Sequence, residues 1–400
     1  MTSDLPSPLA GLRVVDLSRV LAGPYVGRIM ADLGADVVKV EAPDGDQSRH
    51  FGATRAGLSG FYTQFNVGKR NVCIDLRTAQ GVEVLLDLID RADVVIENFR
   101  PGVMARLGLA PDTLLARRPS LVVLSISGFG QTGADSPRPA YASVVHAEAG
   151  LMARQATLDD SDPTDLALAV GDYNAALHGA IAVLAAVRLA EATGTGQHID
   201  MSMFDAMVAT DDYAHNYLDG YSAARVGGEI WSAPGGPIII ASVLYNTWGR
   251  LRRTFDLADG LAPDTPVAEK IATRRRLVQE WLLAFDDRAD ACAALDAANL
   301  VWADIRSPGD ALTSPLAYSR AVAVDVDGRD GATRRVTNTP YKFSAARSGP
   351  RGPAPYRGEH NQQVLAEWLG LPGARAGELS DRMVLQEEDH AAAQRREYAR

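Results

Sequence analysis

The sequence predicts an α/β protein with a mostly parallel sheet, followed by a smaller second lobe. In the first half of the chain, short segments rich in Val and Ile alternate with segments of helical periodicity. Such alternation is typical of parallel strands joined by helices that cover both faces of the sheet. The chain has 400 residues, more than a usual single domain. From about Asp219 the composition changes to Gly/Pro-rich segments and charged helices.

The first predicted elements form a right-handed βαβ unit: a strand at 12–17, a helix within 22–35 and a strand at 36–43. The same pattern then repeats. It predicts strands at 70–76, 93–99 and 120–127, with helices at 78–92, at 102–107 and from about 111. A long apolar helix ends at Gly194, a good residue for a helix C-terminus, and 196–209 gives a strand that leads into a helix.

The second half of the chain predicts a different organisation. Charged helical segments follow the Gly/Pro-rich stretch and suggest the smaller lobe. Further strands are predicted at 320–327 and 333–344, before an extended linker at 347–358 and an amphipathic helix at 360–371. The charged tail, 380–400, is predicted to be helical or frayed.

Composition excludes several classes of protein. The formal net charge is −10, so the chain has no basic surface typical of nucleic-acid binding. Only Cys73 and Cys292 occur, without the spacing of a metal site, which favours a reduced, cytoplasmic protein. Apolar stretches are interrupted before about 20 residues, so we expect no membrane span. No metal is predicted, because the histidines show no ligand pattern.

Two groups of residues resemble ligand-binding motifs. "GFGQTG" at 128–133 follows a strand, but the prolines after it block the helix that a dinucleotide-binding fingerprint must open. We interpret it as a glycine-rich loop. Five cationic residues fall at predicted strand boundaries, where together they could hold a phosphorylated ligand. They are Lys69, Arg70, Arg77, Arg100 and Arg106.

One carboxylate is unusual in the segment from Leu166 to Gly194. Asp172 lies between a strand-like apolar run and a helix that is apolar on nearly every face. The simplest interpretation is an N-cap, because aspartate accepts hydrogen bonds from the free N–H groups that begin a helix. An ordinary capping residue is solvated, whereas this helix must be packed all round, and Gly171 leaves space for an approaching molecule. These features favour a carboxylate in a partly closed cleft.

Six segments, in order along almost the whole chain, carry a family resemblance. They read "PLAGLRVVDLSRVLAGPYVGRIMADLGADVVKVEAP", "FNVGKRNVCIDLRTAQG", "DVVIENFRPGVMARLGL", "AVGDYNAALHG", "TGTGQHIDMSMFDAM" and "RGEHNQQVLAEWLGL". The chain thereby resembles the class III CoA-transferases, the group that contains formyl-CoA transferase and carnitine CoA-transferase and is a sister group of the α-methylacyl-CoA racemases.

The resemblance implies a Rossmann-like large domain built from both ends of the chain, a smaller α+β domain, and an interlocked homodimer. We therefore expect the large domain to contain 1–220 and a returning segment, 330–400, with the small domain at 221–329. The implied partners are acyl-CoA and a small carboxylic acid. Coenzyme A is then a substrate, and no tightly bound cofactor, nucleic acid or membrane is expected.

The resemblance also assigns roles to residues. The family's catalytic aspartate matches Asp172, which would attack an acyl-CoA thioester to form a mixed anhydride and then an aspartyl-CoA thioester. The positions that match the family's CoA contacts are Leu21, Ala22, Ile74, Asp75, Leu76, Arg77, Asn98, Phe99, Arg100, Arg106, Arg138 and Tyr141, with Met203 near the thioester.

Several positions depart from the family pattern. Ala42 replaces an arginine found in some members, Leu21 a glutamine of formyl-CoA transferase, and Ala142 a common acidic residue. The glycine-rich loop that shields the intermediate is matched only by a shorter segment, 226–236. These departures argue against formate and oxalate as substrates.

Two other functions remain open from the sequence. A racemase would use a histidine and an aspartate as an acid/base pair, but the histidine position is Tyr141, whose reference pKa near 10 makes it a poor substitute. His146 is five residues further on and would need a different backbone path. A catalytically silent acyl-CoA-binding protein is favoured by Ala142 and the short glycine loop, and disfavoured by the intact Gly171–Asp172 pair.

Overall fold

The computed structural model describes residues 5–222 and 227–394. Residue Val226 of the glycine-containing segment and the end of the charged tail, 395–400, lie outside these ranges. The strands, in chain order, are β1 Arg13–Asp16, β2 Asp36–Glu41, β3 Thr54–Arg55, β4 Leu58–Ser59, β5 Arg70–Cys73, β6 Val94–Glu97, β7 Val122–Ser127, β8 Gln197–Ser202, β9 Glu229–Trp231, β10 Ile238–Ile240, β11 Trp302–Asp304, β12 Ala323–Asp327 and β13 Thr333–Thr337.

The helices connect these strands and cover the main sheet. In chain order they are α1 Ala22–Asp32, α2 Gly60–Asn66, α3 Ala79–Ile89, α4 Val103–Arg106, α5 Pro111–Arg117, α6 Ala142–Glu148, α7 Leu151–Asp159, α8 Val170–Thr193, α9 Met203–Ala209, α10 Ala214–Leu218, α11 Leu244–Phe255, α12 Val267–Leu283, α13 Arg288–Ala297, α14 Pro308–Leu312, α15 Pro315–Arg320, α16 Asn361–Leu369, α17 Gly373–Asp381 and α18 His390–Gln394. A short 3₁₀ helix, Gln47–His50, follows β2.

The chain divides into two compact units. The large unit contains Met1–Asp219 and Arg320–Arg400, and the small unit contains Gly220–Ser319. The returning segment thus begins before β12, whereas the expected small domain extends to 329. The difference arises because β12 pairs with β13 in an antiparallel hairpin that belongs to the large unit.

The large unit is built on a six-stranded sheet in the order β5-β2-β1-β6-β7-β8. Every recorded pairing in it is parallel, from Val38 opposite Arg70 at one side to Val122 opposite Gln197 at the other. This order is that of the Rossmann fold, in which the chain first builds one half of the sheet outward from β1 and then the other half from β6. The predicted α/β class with a mostly parallel sheet is confirmed.

Alternating side chains of the strands feed two apolar cores, one on each face of the sheet. Val14 of β1 lies in the core with α1, α8 and α9, whereas its neighbour Val15 lies in the opposite core with α3, α5 and α16. Because both faces are covered, the strands read as continuous apolar runs, which is the pattern that identified them in the sequence.

α8 is long and apolar enough, by length and composition, to cross a membrane, with a mean hydropathy of 1.5 in its most apolar stretch. Asp172, Gly179 and Arg188 nevertheless interrupt its apolar run, as the sequence indicates. In the structure the helix packs on the sheet, with Ala176 and Val183 in the core. A Cβ atom at Gly179 would lie 3.1 Å from Cδ2 of Leu124, so this glycine permits the close approach of α8 to β7. These contacts are those of a core helix.

The small unit has its own core. β9, β10 and β11 form an antiparallel sheet, and α11, α12 and α13 pack against it. Trp231, Trp248 and Leu295 are buried there.

Candidate active site

A cavity of about 450 Å³ opens at the C-terminal edge of the main sheet. It lies where the strand order reverses between β1 and β6, the position at which open α/β sheets bind ligands. Segments that follow β1, β2, β6 and β7 supply most of its wall. The lining residues are Arg19, Val20, Ala22, Asp44, Gly45, Gln47, His50, Asn98, Phe99, Arg100, Pro101, Ile126, Ser127, Gly128, Arg138, Pro139, Ala140, Tyr141, Asp172 and Met203.

The turn between β1 and α1 forms one side of the cavity and is held by side chains from neighbouring strands. Asn98 accepts a hydrogen bond from the N–H of Arg19 and donates one to its carbonyl, each at 2.8 Å. Val20 has φ = 68°, a conformation that a β-branched residue rarely adopts. Its N–H donates to both oxygens of Asp46, at 3.3 and 3.2 Å. The turn is thus strained locally and fixed by buried acceptors.

Asp172 is not the N-cap of α8, so the simplest interpretation of this residue is wrong. The helix begins at Val170, Ala169 occupies the N-cap position without a side-chain hydrogen bond, and Asp172 is the third helical residue. A sequence cannot separate these positions reliably, because aspartate is favourable both at the cap and in the first helical turn. In the first turn its side chain is free to point into the cavity, where it is part of the wall.

The environment of the Asp172 carboxylate combines burial with backbone amides. Burial raises its pKa to about 6, and hydrogen bonds from the N–H groups of Ala142 and Ala22 oppose this rise. Ala22 and Ala142 are the first residues of α1 and α6. The carboxylate therefore lies where three helices begin, at the positive ends of their dipoles.

His146 supplies the acceptor that the start of α8 would otherwise lack. Its Nε2 accepts a hydrogen bond of 3.0 Å from the N–H of Gly171, and its Nδ1 lies 3.0 Å from Oδ1 of Asp165. The ring is buried and is not part of the cavity wall. With both nitrogens engaged, His146 is not placed to exchange a proton with a molecule in the cavity.

The cavity brings together eight of the residues predicted from the sequence. They are Asp172, Ala22, Asn98, Phe99, Arg100, Arg138, Tyr141 and Met203. Tyr141 and Arg138 lie at the exposed rim, where Arg138 also pairs with Asp135 and Glu148. Residues from five separate stretches of sequence thus meet at one edge of the sheet.

Six predicted residues do not line the cavity. Leu21 and Ile74 are buried in the fold, so their side chains cannot reach a ligand there. Leu76 lies against the apolar core, and Asp75 is paired with the exposed Arg77. Arg77 nevertheless interacts electrostatically with Asp44 of the cavity wall. The sixth, Arg106, is exposed at the end of α4.

The idea of a phosphate site that includes Lys69 and Arg70 is also wrong. Lys69 is fully buried, and its Nζ lies 2.7 Å from Oδ2 of Asp16. Arg70 pairs with Asp36 and Glu367. Both cations are neutralised within the protein, so neither is available to a ligand.

Several wall residues were missed in the sequence. Asp44, Gly45 and Gln47 follow β2, Ser127 ends β7, and Gly128 follows it. The signal that could have found them is their position, because every segment just after a parallel strand reaches the same edge of the sheet. Gly128 is the first glycine of the "GFGQTG" loop, which therefore lines this cavity instead of a dinucleotide site.

Comparisons with known proteins agree with this geometry. The family model described as CoA-transferase family III matches residues 9–361. The chain belongs to CoA-transferase family III. It is 34% identical over 384 residues to succinyl-CoA:mesaconate CoA-transferase of Haloarcula hispanica, covering 90% of this chain and 96% of that protein. It is 33% identical to succinate–glutarate CoA-transferase of Agrobacterium fabrum, covering 91% of this chain and 97% of that protein.

A solved structure supports the same assignment. The crystal structure of a CAIB/BAIF family protein from Brucella suis superposes with a TM-score of 0.79 at 32% identity and covers 91% of this chain and 100% of that one. The protein is thus a CoA-transferase of family III, as its sequence motifs predicted, and CoA transfer between acids is the activity of the family to which it belongs.

Proposed function

We propose that this CoA-transferase moves CoA from an acyl-CoA to a free carboxylic acid by covalent catalysis at Asp172. The observation that carries this proposal is the placement of that carboxylate: it faces a cavity, it forms no ion pair among the described residues, and burial raises its pKa to about 6. Such a group is ionised at neutral pH yet poorly stabilised by its surroundings, which is the state that a nucleophile needs.

The reaction balances without ATP or another co-reactant. An Asp172 oxygen attacks the thioester carbonyl, the C–S bond breaks, and a mixed anhydride and CoA thiolate result. The thiolate then attacks the aspartyl carbonyl, which releases the donor acid and leaves an aspartyl-CoA thioester. The acceptor carboxylate attacks that carbonyl to form a second anhydride and thiolate. Attack of the thiolate on the acceptor carbonyl gives the new acyl-CoA and restores Asp172.

The amides around Asp172 suit this chemistry. Each attack on a carbonyl produces an oxyanion, and backbone N–H groups at helix starts stabilise negative charge without reorganisation. The N–H groups of Ala22 and Ala142 act on the Asp172 carboxylate already in the free protein. We infer that they also support the oxyanions that form on its carbonyl.

The proposed CoA site follows from the charges at the cavity. Arg19 and Arg100 line it and supply cations for the phosphates, while Phe99 offers an apolar ring. Arg138 at the rim would bind a phosphate by exchanging its partners Asp135 and Glu148 for it. Met203 lies in the same wall, as expected for a residue near the thioester. CoA enters and leaves in each cycle, so the chemistry needs no tightly bound cofactor.

For the acids, we propose small dicarboxylates. The relatives at 34% and 33% identity are named for succinyl-CoA with mesaconate and for succinate with glutarate, and each matches nine-tenths of this chain. A second carboxylate on the acid would be recognised by a cation or by backbone amides, since both are favourable partners for an anion.

The racemase function is disfavoured by the position of the basic groups. A 1,1-proton transfer needs a base that reaches the α-carbon opposite Asp172. His146 is buried with both ring nitrogens engaged. The residue that matches the histidine of the racemases is the exposed Tyr141 at the cavity rim. Exchange of the α-hydrogen for deuterium from solvent, without CoA transfer, is the outcome that would restore the racemase.

We also propose an interlocked homodimer in the cytoplasm. Both ends of the chain contribute to the large unit, while the small unit lies between them in sequence. α8 exposes the large apolar side chains Leu177, Ile181 and Leu189, of which Leu177 and Ile181 are neighbours one turn apart. A second copy of the chain is the occupant that we expect against them. A folded monomer in sedimentation at nanomolar concentration would contradict the dimer, because interlocked chains cannot separate without opening.

The experiment that tests the catalytic proposal combines acyl transfer with trapping. Succinyl-CoA and a panel of mono- and dicarboxylic acids are incubated with the protein, and new CoA thioesters are measured by mass spectrometry. Hydroxylamine should convert an activated Asp172 carbonyl to a hydroxamate at that residue. Asp172→Asn should lower turnover by about a thousandfold or more and abolish the adduct, while CoA binding persists.

A matched control is Asp287→Asn in the small unit. Asp287 is a true N-cap whose side chain accepts from the N–H of Asp290 at 2.9 Å. This variant removes a charge at a helix start but should leave transfer unchanged. An Asp172→Asn protein that transfers CoA at the parent rate would remove the central claim.

A further inference from the structure

The short helix α6 makes several contacts with the start of α8. Its first residue, Ala142, directs an N–H toward Asp172. One turn apart on the same helix, Ser143 and His146 both contact Asp165, at 2.5 Å from Oδ2 and 3.0 Å from Oδ1. His146 also accepts from the N–H of Gly171. One helix therefore holds both the segment before α8 and the first turn that carries the nucleophile.

The hydrogen bonds define the state of the imidazole. Nε2 accepts from an amide N–H, so it carries a lone pair and no proton. In the neutral ring the proton then lies on Nδ1, which donates to the carboxylate of Asp165. Ser143 and the N–H of Leu166 donate to the same carboxylate and lower the pKa of Asp165, so it remains an ionised acceptor. Asp165 fixes the tautomer of His146, because the hydrogen bond made by one ring nitrogen determines which nitrogen carries the proton.

We propose that His146 is a positioning residue for Asp172: by accepting from the Gly171 N–H in its Nδ1–H tautomer, it sets the orientation of the nucleophile. Gly171 immediately precedes Asp172, so the bond acts one residue from the reacting carboxylate. It occupies the role that a side-chain N-cap would fill, since Ala169 provides none. This inference rests on the proposed covalent role of Asp172.

Because His146 is buried, water cannot replace its hydrogen bond to Gly171, as it could at an exposed helix start. The ring is 1% exposed, and Val145 beside it lies 3.5 Å from where a Gly171 Cβ would be. A loss of the bond would leave a buried N–H without an acceptor, and the first turn of α8 would shift to find one. The carboxylate would then move relative to the Ala22 and Ala142 amides, which belong to other helices. Misplacement of a reacting group by about 1 Å costs on the order of a hundredfold in rate.

The test compares two substitutions. In His146→Gln an amide oxygen can accept from Gly171 and the NH₂ can donate to Asp165, whereas His146→Ala removes both bonds. We expect His146→Ala to lower kcat on the order of a hundredfold with little change in KM for acyl-CoA. His146→Gln should recover most of that loss. His178→Gln is the matched control: His178 lies on α8, the helix that carries Asp172, but away from its first turn. This variant should leave kcat unchanged.

The tautomer is measured in the unmodified protein. Nitrogen-15 NMR of histidine-labelled protein should show His146 as the Nδ1–H form, assigned by its absence in His146→Gln. Asp165→Ala should convert part of the signal to the Nε2–H form and lower kcat with it. This readout does not require that the protein transfers CoA, and it remains available if His146→Ala does not fold.

The outcomes separate the inference from the proposed function. An unmodified protein that transfers CoA, together with full kcat in His146→Ala, overturns the positioning role alone. An Nε2–H tautomer at His146 does the same. If kcat, acyl-CoA binding and thermal stability all fall together in both His146 variants, His146 only stabilises the fold and the positioning role is refuted. Absence of transfer and of an Asp172 adduct in the unmodified protein would instead refute the proposed function.

Discussion

Buried carboxylates at one side of the sheet edge are paired with cations, and those at the other side are not. On the side of β1, β2 and β5, each carboxylate is neutralised: Asp16 by Lys69, Glu41 by Arg49, and Asp46 by Lys39, at 2.7, 2.7 and 3.0 Å. On the side of β6 and α8, Glu97 and Asp172 form no salt bridge with any described residue. The carboxylates on the β1, β2 and β5 side thus have cationic partners within the protein, whereas Glu97 and Asp172 have none among the described residues.

The pKa values follow this division. Burial would raise the pKa of Glu41, but Arg49 reverses the effect and lowers it, and Lys39 does the same for Asp46. For Glu97 and Asp172 burial prevails, so their pKa values rise to about 7 and about 6. The comparison teaches that burial alone does not define a reactive carboxylate. The group must also lack a cation and face the cavity, and of the two unpaired carboxylates only Asp172 lines it.

The largest expected effect comes from breaking a pair on the neutralised side. In Lys69→Met the side-chain volume is nearly kept, but Asp16 is left as a buried charge without its cation. We expect the free energy of unfolding to fall by about 3–5 kcal/mol, measured by urea denaturation at pH 7. The Nζ of Lys69 also donates to the carbonyl of Pro24 at 2.8 Å, so α1 should lose an anchor as well.

A second substitution tests whether the unpaired charge of Asp16 causes this loss of stability. Adding Asp16→Asn to Lys69→Met removes the unpaired charge and should recover part of the lost stability, as a double-mutant cycle would show. Glu280→Ala, which breaks the exposed pair with Arg276, should change stability by less than about 1 kcal/mol. Equal losses for the buried and exposed pairs would contradict the division between the two sides.

A smaller effect of opposite sign is expected at Asp172. Its pKa in the folded protein, about 6, exceeds the ordinary value of 3.8. The folded state therefore binds this proton more tightly than the unfolded chain, and ionisation costs stability as pH rises from about 4 to about 6. Asn cannot ionise, so Asp172→Asn should be more stable than the parent by up to about 3 kcal/mol above pH 7.

Unfolding curves at pH 8 and pH 4 measure this difference. The two proteins should converge at pH 4, where Asp172 is protonated in the folded state. A variant that is less stable than the parent at pH 8 would mean that Asp172 stabilises its helix after all. The expected gain accompanies a loss of catalysis, as in other sites where activity costs stability.

The sequence predicted the sheet well because its physical cause is local. Val14 and Val15 feed opposite cores, so strands of this kind read as unbroken apolar runs. The site was predicted less completely. An aspartate before an apolar helix has the same pattern at the N-cap and in the first turn. The start of α8 at Val170, where His146 accepts from the N–H of Gly171, places Asp172 in the first turn. That contact joins two helices across 25 residues of sequence, and no periodicity reports it.

The family resemblance has a different limit. It locates positions along the chain but not the direction of a side chain or the partner that it already has. Arg77 and Arg100 both match the family's CoA contacts and carry the same charge, yet Arg77 pairs with Asp75 outside the cavity wall and Arg100 lines it. The φ of 68° at Val20 was equally unpredictable, because valine disfavours it and the buried Asp46 imposes it.

The pH dependence of turnover offers a third way to sharpen the comparison. Only ionised Asp172 can attack, so kcat/KM for acyl-CoA should fall about tenfold per pH unit below a pKa of about 6. The 3′-phosphate of CoA also titrates near pH 6. A donor made from dephospho-CoA separates the two, because the fall should persist with it. A profile that is flat down to pH 5 with this donor would place Asp172 among the neutralised carboxylates.

The smallest effect concerns Arg106, which the family resemblance assigns to CoA and the structure leaves outside the cavity wall. Its side chain is exposed at the end of α4, and a Cβ at Gly102 would lie 3.4 Å from its Nη1, so the guanidinium rests against its own turn. An exposed charge contributes little, so Arg106→Ala should raise KM for acyl-CoA by at most about fivefold. Arg100→Ala, in the wall itself, should raise it more. The same two variants assayed with a dephospho-CoA donor show whether either cation acts on the 3′-phosphate, since that contribution would then disappear. A larger KM change in Arg106→Ala than in Arg100→Ala would mean that CoA extends along α4 and that the binding surface exceeds the cavity.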